Sequence, residues 1–248
     1  MSITVILNCY RRPQNLEEQI LAIRNQSIRP KEIWLWNNYY YDTAKYLEDN
    51  PKTFDGIDIV IDSSKNFKYH GRFTLGLLSN SDYLAYFDDD TIPGTNWFEN
   101  CINSDKVVPG IYGGAGVVLL SRNYMHHIRV GWPSKNDNIT EVDLVGHAWF
   151  FKRKYLNYLW SETPFSFDNG EDIQFSYLAQ KHGVKTYCPP HPKGQLNLWS
   201  SLKAYELGDD PVASSNGKGM PYPQFCKERD DCVEEALKRG WKTIVGIK

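Results

Sequence analysis

Three consecutive carboxylates, Asp88, Asp89 and Asp90, follow the apolar run Tyr83 to Phe87 and precede Thr91-Ile92-Pro93-Gly94. Acids in that position stand where a buried strand gives way to a loop. Side chains along a strand alternate with period two, so Asp88 and Asp90 point to one side. Two unit charges about 4 Å apart repel by roughly 4 kcal/mol at a near-surface dielectric, and a divalent cation would relieve that repulsion. Hard oxygen ligands suit Mg²⁺ or Mn²⁺, which are commonly held by one or two carboxylates together with substrate phosphates. Asp, Pro and Gly are also ordinary turn residues, and a plain acidic turn accounts for the same pattern.

Two further groups have side chains suited to chemistry. Glu171 and Asp172 follow Gly170 at the start of a helical pattern. Acids there stabilise a first helical turn by about 0.3–1 kcal/mol, and on position alone capping accounts for both better than catalysis does. His147 and Trp149 stand two apart in an apolar stretch, so in a regular strand both face the same side and both can face a sugar. Core packing accounts equally well for Trp149. His126 and His127 are adjacent and would face opposite ways in a strand, which keeps them from sharing an ion.

The elements that position these groups are legible as alternating short strands and helices, the pattern of βαβ units around a mostly parallel sheet. Strands are predicted at Ile3 to Leu7, Ile33 to Trp36, Ile57 to Ile61 and Tyr83 to Phe87. Pro13 to Gln26, with Leu16, Ile20 and Ile23 at helical spacing and Pro13 near the start, predicts an amphipathic helix. From Asp105 to Asn138 the chain reads as Gly-rich and irregular, with Tyr112 to Leu120 its best strand. Val142 to Phe151 reads as another strand. Gly208 to Pro223 predicts a long loop, and Cys226 to Arg239 a charged helix stopped by Gly240. The fold class is therefore α/β with a C-terminal loop and helix extension.

Composition narrows the function classes. The 248 residues carry 28 basic and 30 acidic side chains, a balance that points away from nucleic acid and anionic membrane surfaces as partners. Five cysteines without a C-x-x-C pair argue against a disulfide framework and a zinc site and read as reduced thiols. No run of about 18 apolar residues occurs, so no membrane span is expected, and with no secretory leader pattern a cytoplasmic protein is the expectation. Aromatic residues make up 14% of the chain, and their flat faces suit stacking on sugar and nucleotide rings as well as core packing.

In an open α/β sheet, ligands bind outside the carboxyl ends of the strands. There the chain places Asn8, Tyr10, Arg11 and Arg12 after strand one and Asn37 and Asn38 after strand two. Asp62 follows strand three and the Asp triplet strand four. The segments Ile3 to Pro13 and Gln26 to Ile33 resemble the opening of GT-A fold nucleotide-sugar glycosyltransferases, in particular the inverting family 2 enzymes. Asp88-Asp89-Asp90 resembles their DXD motif, Val145 to Arg153 the Gly-rich strand after it, and Gly170-Glu171-Asp172 their acidic acceptor-side motif. The resemblance spans roughly residues 3 to 190.

It implies a GT-A catalytic domain over 1–192, with a nucleotide-binding half of about 1–92 and an acceptor-side half of about 93–192, followed by an extension over 193–248. It also implies a nucleoside-diphosphate sugar donor, UDP-linked, a carbohydrate acceptor, transfer with inversion, and Mn²⁺ or Mg²⁺ as cofactor. Asn8, Tyr10 and Arg11 would border the nucleotide with Asp62 and Asp89, and Asn37 stands where many relatives carry an Asp that accepts from the base. An Asn carbonyl can accept the same hydrogen bond. Arg72 would pair with a phosphate or ribose-side oxygen. Asp88 would hold the ribose and share the metal with Asp90, and His191 stands where some GT-A enzymes supply a third ligand. Asp172 would be the general base, with Glu171 beside it.

The chain is compatible with being one part of a longer, multidomain enzyme. A nucleotidyltransferase that activates a sugar phosphate is the alternative enzyme, but it calls for a Gly-rich phosphate loop after strand one, and Asn8 to Gln14 contains no glycine. A non-enzymatic sugar-binding module would keep the aromatics without needing the acids.

Overall fold

The computed structural model describes residues 1–203, 206–207 and 221–247. Of the loop expected at Gly208 to Pro223, residues 208–220 lie outside the described residues.

Strand β1 (Ile3–Cys9) is buried on both faces, as its unbroken apolar run requires of a central strand. It pairs in parallel with β2 (Glu32–Asn37) on one side and β4 (Tyr83–Phe87) on the other. Parallel β3 (Ile59–Asp62) adds to β2. Beyond β4 the sheet changes character. Strand β8 (Leu144–Lys152) runs antiparallel to β4, and β5 (Ile111–Leu119) runs antiparallel to β8. Strands β9 (Thr186–Cys188), β7 (Thr140–Val142) and β6 (His127–Gly131) complete the order β3-β2-β1-β4-β8-β5-β9-β7, with β6 on β5. The parallel character expected of the sheet belongs chiefly to its first four strands.

Alternate residues of β1 feed opposite cores. Val5 and Leu7 pack with helices α1 (Leu16–Arg24), α2 (Tyr41–Asp49) and α4 (Trp97–Val107), whose Ile20, Leu47 and Phe98 share one cluster. Ile6 packs on the other face, with Phe73 of α3 (Gly71–Leu75), Leu159 of α5 (Leu156–Leu159) and Phe175 of α6 (Glu171–Lys181). A third cluster joins Ile173 and Tyr177 of α6 to Cys232, Val233 and Ala236 of α7 (Tyr222–Lys238).

The stretch Asp105 to Asn138 is more regular than its glycines suggested. Helix α4 runs through to Val107, and β6 lies inside it. The single strand expected at Val142 to Phe151 is two, β7 and β8, separated by Asp143. That side chain leaves the strand pattern to accept from the amides of Leu119 (2.8 Å) and Ile244 (2.7 Å). Residues 193–203 pack back over the loop after β4, where Gly94 N–H donates to the Trp199 carbonyl (2.9 Å) and Leu202 N–H to the Ile92 carbonyl (2.7 Å). A Cβ at Gly94 would lie 2.2 Å from the Leu196 carbonyl oxygen, so only glycine permits this approach. All five cysteines are unpaired thiols. Among the described residues no helix is long and apolar enough to cross a membrane.

Candidate active site at the strand ends

The acidic triplet begins where β4 ends. The Thr91 N–H donates to the Asp88 carbonyl (3.1 Å), closing a turn. Two side chains from across the sheet pin this turn by its carbonyls. Gln19 of α1, fully buried, donates to the carbonyls of Asp88 and Thr91 (both 2.7 Å), and Asn15 donates to that of Asp89 (2.9 Å).

The three carboxylates have different partners. Asp89 turns inward, is buried, and accepts from the amides of Tyr10 and Arg11 (both 3.4 Å) and from Arg12 (2.9 Å). Burial raises its pKa to about 6. Its place is to hold the β1 loop, which corrects the expectation that it lines the nucleotide. Asp88 gives one oxygen to Arg72, and Asp90 gives one to Arg12 at 2.9 Å. The second oxygen of each lies near His147 Nδ1, at 3.7 Å for Asp88 Oδ2 and 3.9 Å for Asp90 Oδ1, the latter also accepting from the Thr91 hydroxyl at 3.2 Å. Together Asp88, Asp90 and His147 offer three ligand atoms within 4.8 Å of one another. Two carboxylate oxygens and an imidazole nitrogen suit a divalent first-row or alkaline-earth ion, with room left for phosphate oxygens.

His147 reaches this place because β8 is irregular. Between the pairs Ala115↔Gly146 and Gly113↔Trp149, β8 contributes His147 and Ala148 against a single β5 residue. Such bulges re-aim side chains beside active sites. His147 takes φ 66°, a left-handed conformation that costs a non-glycine residue about 1–3 kcal/mol and persists where its surroundings fix it. The Trp132 ring stands edge-on to the imidazole at 4.6 Å. The same bulge breaks the alternation on which a shared face for His147 and Trp149 depended. Trp149 is 2% exposed and packs edge-on to Phe73, with the Arg72 guanidinium 4.6 Å over its ring. Trp149 is a core residue that supports Arg72 rather than a sugar-facing one.

His191, expected as a third metal ligand, is 1% exposed. Its ring packs against Trp199 at 4.3 Å, and its backbone bridges to Asn136. Burial lowers its pKa to about 4. The position it was to fill beside the acids is taken by His147.

Arg72, 2% exposed, ties the two acidic regions together. It pairs with Asp88 and lies 3.7 Å from Glu171 Oε1. Burial opposes its charge, and the two carboxylates outweigh burial, so its pKa is raised. At Glu171 burial comes first and the Asp172 charge second, and its pKa is pushed up to about 8. Glu171 Oε2 is buried without a hydrogen-bond partner among the described residues. Asp172 accepts from Arg229 of α7 at 2.6 Å and from the Ile173 amide at 2.8 Å.

On the other flank, the paired ends of β2 and β3 set Asn37 beside Asp62, with Asn37 Nδ2 donating to Asp62 Oδ1 (2.8 Å). The Oδ1 atoms of Asn37 and Asn8 are buried without partners among the described residues. Acceptors of that kind ask for a donor. Tyr10 meets Tyr40 edge-on at 5.4 Å, and the Arg11 guanidinium lies about 5 Å over both rings, at 5.0 and 4.9 Å. Asn8, Tyr10, Arg11, Asn37 and Asp62 thus gather along one edge, next to Asp88 and Asp90. Arg12, Gln19, Trp132 and Arg229 complete the surroundings. Arg12 adjoins the Tyr10-Arg11 cluster in sequence, whereas nothing local marks the other three.

Residues 4–160 match the family model described as glycosyl transferase family 2. Among solved structures, the chain is similar to GalNAc-T7 with UDP, GalNAc and Mn²⁺, at 16% identity and a TM-score of 0.61. The alignment covers 97% of this chain and 56% of that one, so the chain spans little more than half the length of its structural neighbour. No curated protein matches the sequence.

Proposed function

The chain belongs to glycosyl transferase family 2 and has the GT-A fold, and on that premise we propose that it transfers a sugar from a UDP-linked donor to a hydroxyl of a carbohydrate acceptor, with inversion. One observation carries this reading: Asp88 Oδ2, Asp90 Oδ1 and His147 Nδ1 converge at the end of β4, beside strand ends bearing unsatisfied acceptors for a base. The structural neighbour was solved with UDP and Mn²⁺, which supports the choice of uridine and of Mn²⁺ over Mg²⁺. We assign the catalytic domain to residues 1–192 and read 193–248 as an extension, whose described segments 193–203 and α7 pack on it.

Asp88, Asp90 and His147 would hold the cation, and when bound it would neutralise charge developing on the leaving diphosphate. Asn37 Oδ1 accepts from the base edge, and Tyr10 and Arg11 border the nucleotide with Asn8 and Asp62. Arg72 keeps Asp88 oriented and adds positive charge beside the diphosphate. The acceptor hydroxyl oxygen attacks the anomeric carbon, the bond from that carbon to the diphosphate oxygen breaks with its electron pair leaving on the diphosphate, and the hydroxyl proton passes to Asp172. A single displacement of this kind inverts the anomeric centre. Glu171, whose raised pKa keeps it largely protonated at neutral pH, suits a hydrogen-bond donor to the acceptor better than a base.

A thermal-shift panel of UDP, GDP and ADP with and without Mn²⁺ tests this, because ligands that bind the folded state stabilise it by mass action. UDP with Mn²⁺ should give the largest shift, and Asp90→Ala should abolish it. A larger shift with GDP or ADP would reject uridine, and an undiminished UDP–Mn²⁺ shift in Asp90→Ala would reject the metal site.

A further inference from the structure

Helices α6 and α7 both lie beyond the stretch matched by the family model, and α7 reaches the head of α6 with a buried cation. Arg229, 5% exposed, donates through Nη2 to Asp172 Oδ2 (2.6 Å) and through Nη1 to Asn169 Oδ1 (3.1 Å). Its guanidinium lies 4.0 Å over the Tyr124 ring and 5.6 Å from that of Phe225. Next to Arg229, Asp230 accepts from the Tyr124 amide (2.6 Å), which fixes the aromatic face on which the guanidinium rests. One turn further, Cys232 packs against Gly170 so closely that a Cβ there would come within 2.5 Å of its sulfur. Gly170 takes φ 80°, a backbone state open to glycine, and it is the residue from which α6 starts.

Stability alone is a poor reason for such a pair. A buried ion pair loses much of its Coulomb gain to desolvation, and apolar residues of similar volume often do as well or better. The aromatic surroundings of Arg229 would accept a Met or Leu. What the pair supplies instead is direction, because a planar fork with two acceptors fixes where a carboxylate points.

We propose that Arg229 is a positioning residue for sugar transfer: from α7 it holds Asp172 and Asn169, and so sets the orientation of the acid that removes the acceptor proton. This rests on the assignment of Asp172 as base, and it gives the C-terminal helix a part in the reaction. Residues 221–239 are then required for turnover and dispensable for donor binding.

The test compares Arg229→Met, Arg229→Lys, Asp172→Asn and the Arg229→Met/Asp172→Asn double variant. Two readouts are used: UDP release from a UDP-sugar in Mn²⁺ with water as acceptor, and amide hydrogen exchange over residues 169–175. Arg229→Met should lower kcat at least tenfold with KM for the donor within twofold, Arg229→Lys should recover part of the loss, and exchange at 169–175 should rise while that of residues 3–9 stays unchanged. In the Asp172→Asn background the Arg229→Met change should cost nothing further, since residues acting as one unit are not additive. Wild-type kcat and unchanged exchange in Arg229→Met would overturn the proposal, as would equal losses in both backgrounds. If Arg229→Met does not fold, Arg229→Lys carries the same comparison. Wild-type UDP release in Asp172→Asn would instead reject the base assignment, with hydrogen exchange still deciding whether Arg229 holds the head of α6.

Discussion

Asn37, Asp62 and Asp88 stand at the ends of three parallel strands of one sheet, whereas His147 is turned out of an antiparallel strand by a bulge and Asp172 is held by an arginine on another helix. On the donor side, a polar residue's place follows from where its strand stops. For the imidazole of the metal site and for the proposed base it depends instead on an exception to strand geometry and on a contact distant in sequence. On the proposed assignments, the nucleotide's own contacts rest on elements that form one regular unit, whereas the imidazole of the metal site and the base are parts that must be brought to it. The Arg72 bridge between Asp88 and Glu171 joins the two.

That division can be broken experimentally. The largest effect is expected from Asp172→Asn, which should lower turnover by about 10²- to 10⁴-fold while calorimetry finds Mn²⁺-dependent UDP affinity within twofold of wild type. A parallel loss of UDP affinity would mean the two sides are not separable. Next, His147→Ala should weaken Mn²⁺ binding by more than about 100-fold, beyond the roughly 10- to 100-fold typical for loss of a supporting group, whereas His191→Ala should lower thermal stability and leave Mn²⁺ affinity alone. The reverse pattern would return the third ligand to His191.

Gln19→Ala probes the donor side from behind. Removing the Gln19 donor from the Thr91 carbonyl, and leaving the Asp88 carbonyl with the Thr91 N–H alone, should cost about 1–3 kcal/mol in urea unfolding, and wild-type stability would show that the turn holds without its pins. The smallest effect concerns pH. Glu171, raised to about 8, binds more protons folded than unfolded, so its contribution falls as pH rises from its ordinary range towards 8. His70 and His191, both lowered to about 4, act in the opposite sense, between about 4 and the ordinary histidine pKa near 6.5. Above that only the Glu171 effect of these remains. Without metal or nucleotide, thermal stability should therefore decline between about pH 6.5 and 8, and Glu171→Gln should flatten that slope.

Much of the donor side was legible in the sequence because its signals are local. The run Tyr83 to Phe87 is β4 to the residue, and Leu16, Ile20 and Ile23 mark the buried face of α1. The acids of the triplet were identified by position, but Asp89 was misplaced, since nothing local says that a carboxylate will turn inward to cap the amides of Tyr10 and Arg11. Along β8 the reading by twos failed at His147 and Trp149, because one inserted residue shifts every later side chain to the other face. His191 has the right residue type in the right stretch, yet Trp199 and the Asn136 bridge hold it elsewhere. Arg229 was invisible for a different reason: its partner is separated from it by 57 residues, and one arginine in a charged helix resembles any other.

That separation has a consequence in time. A chain lengthens on the ribosome at about 5–20 residues per second, so the 57 residues from Ile173 through Arg229 take roughly 3 to 11 s to add. During that interval the donor-side strands are already synthesised and can pair, while the acid at the head of α6 still lacks the arginine that aims it. On the proposed assignments, a chain that ends before α7 would carry its base without the arginine that aims it, and competence to transfer would arrive with α7.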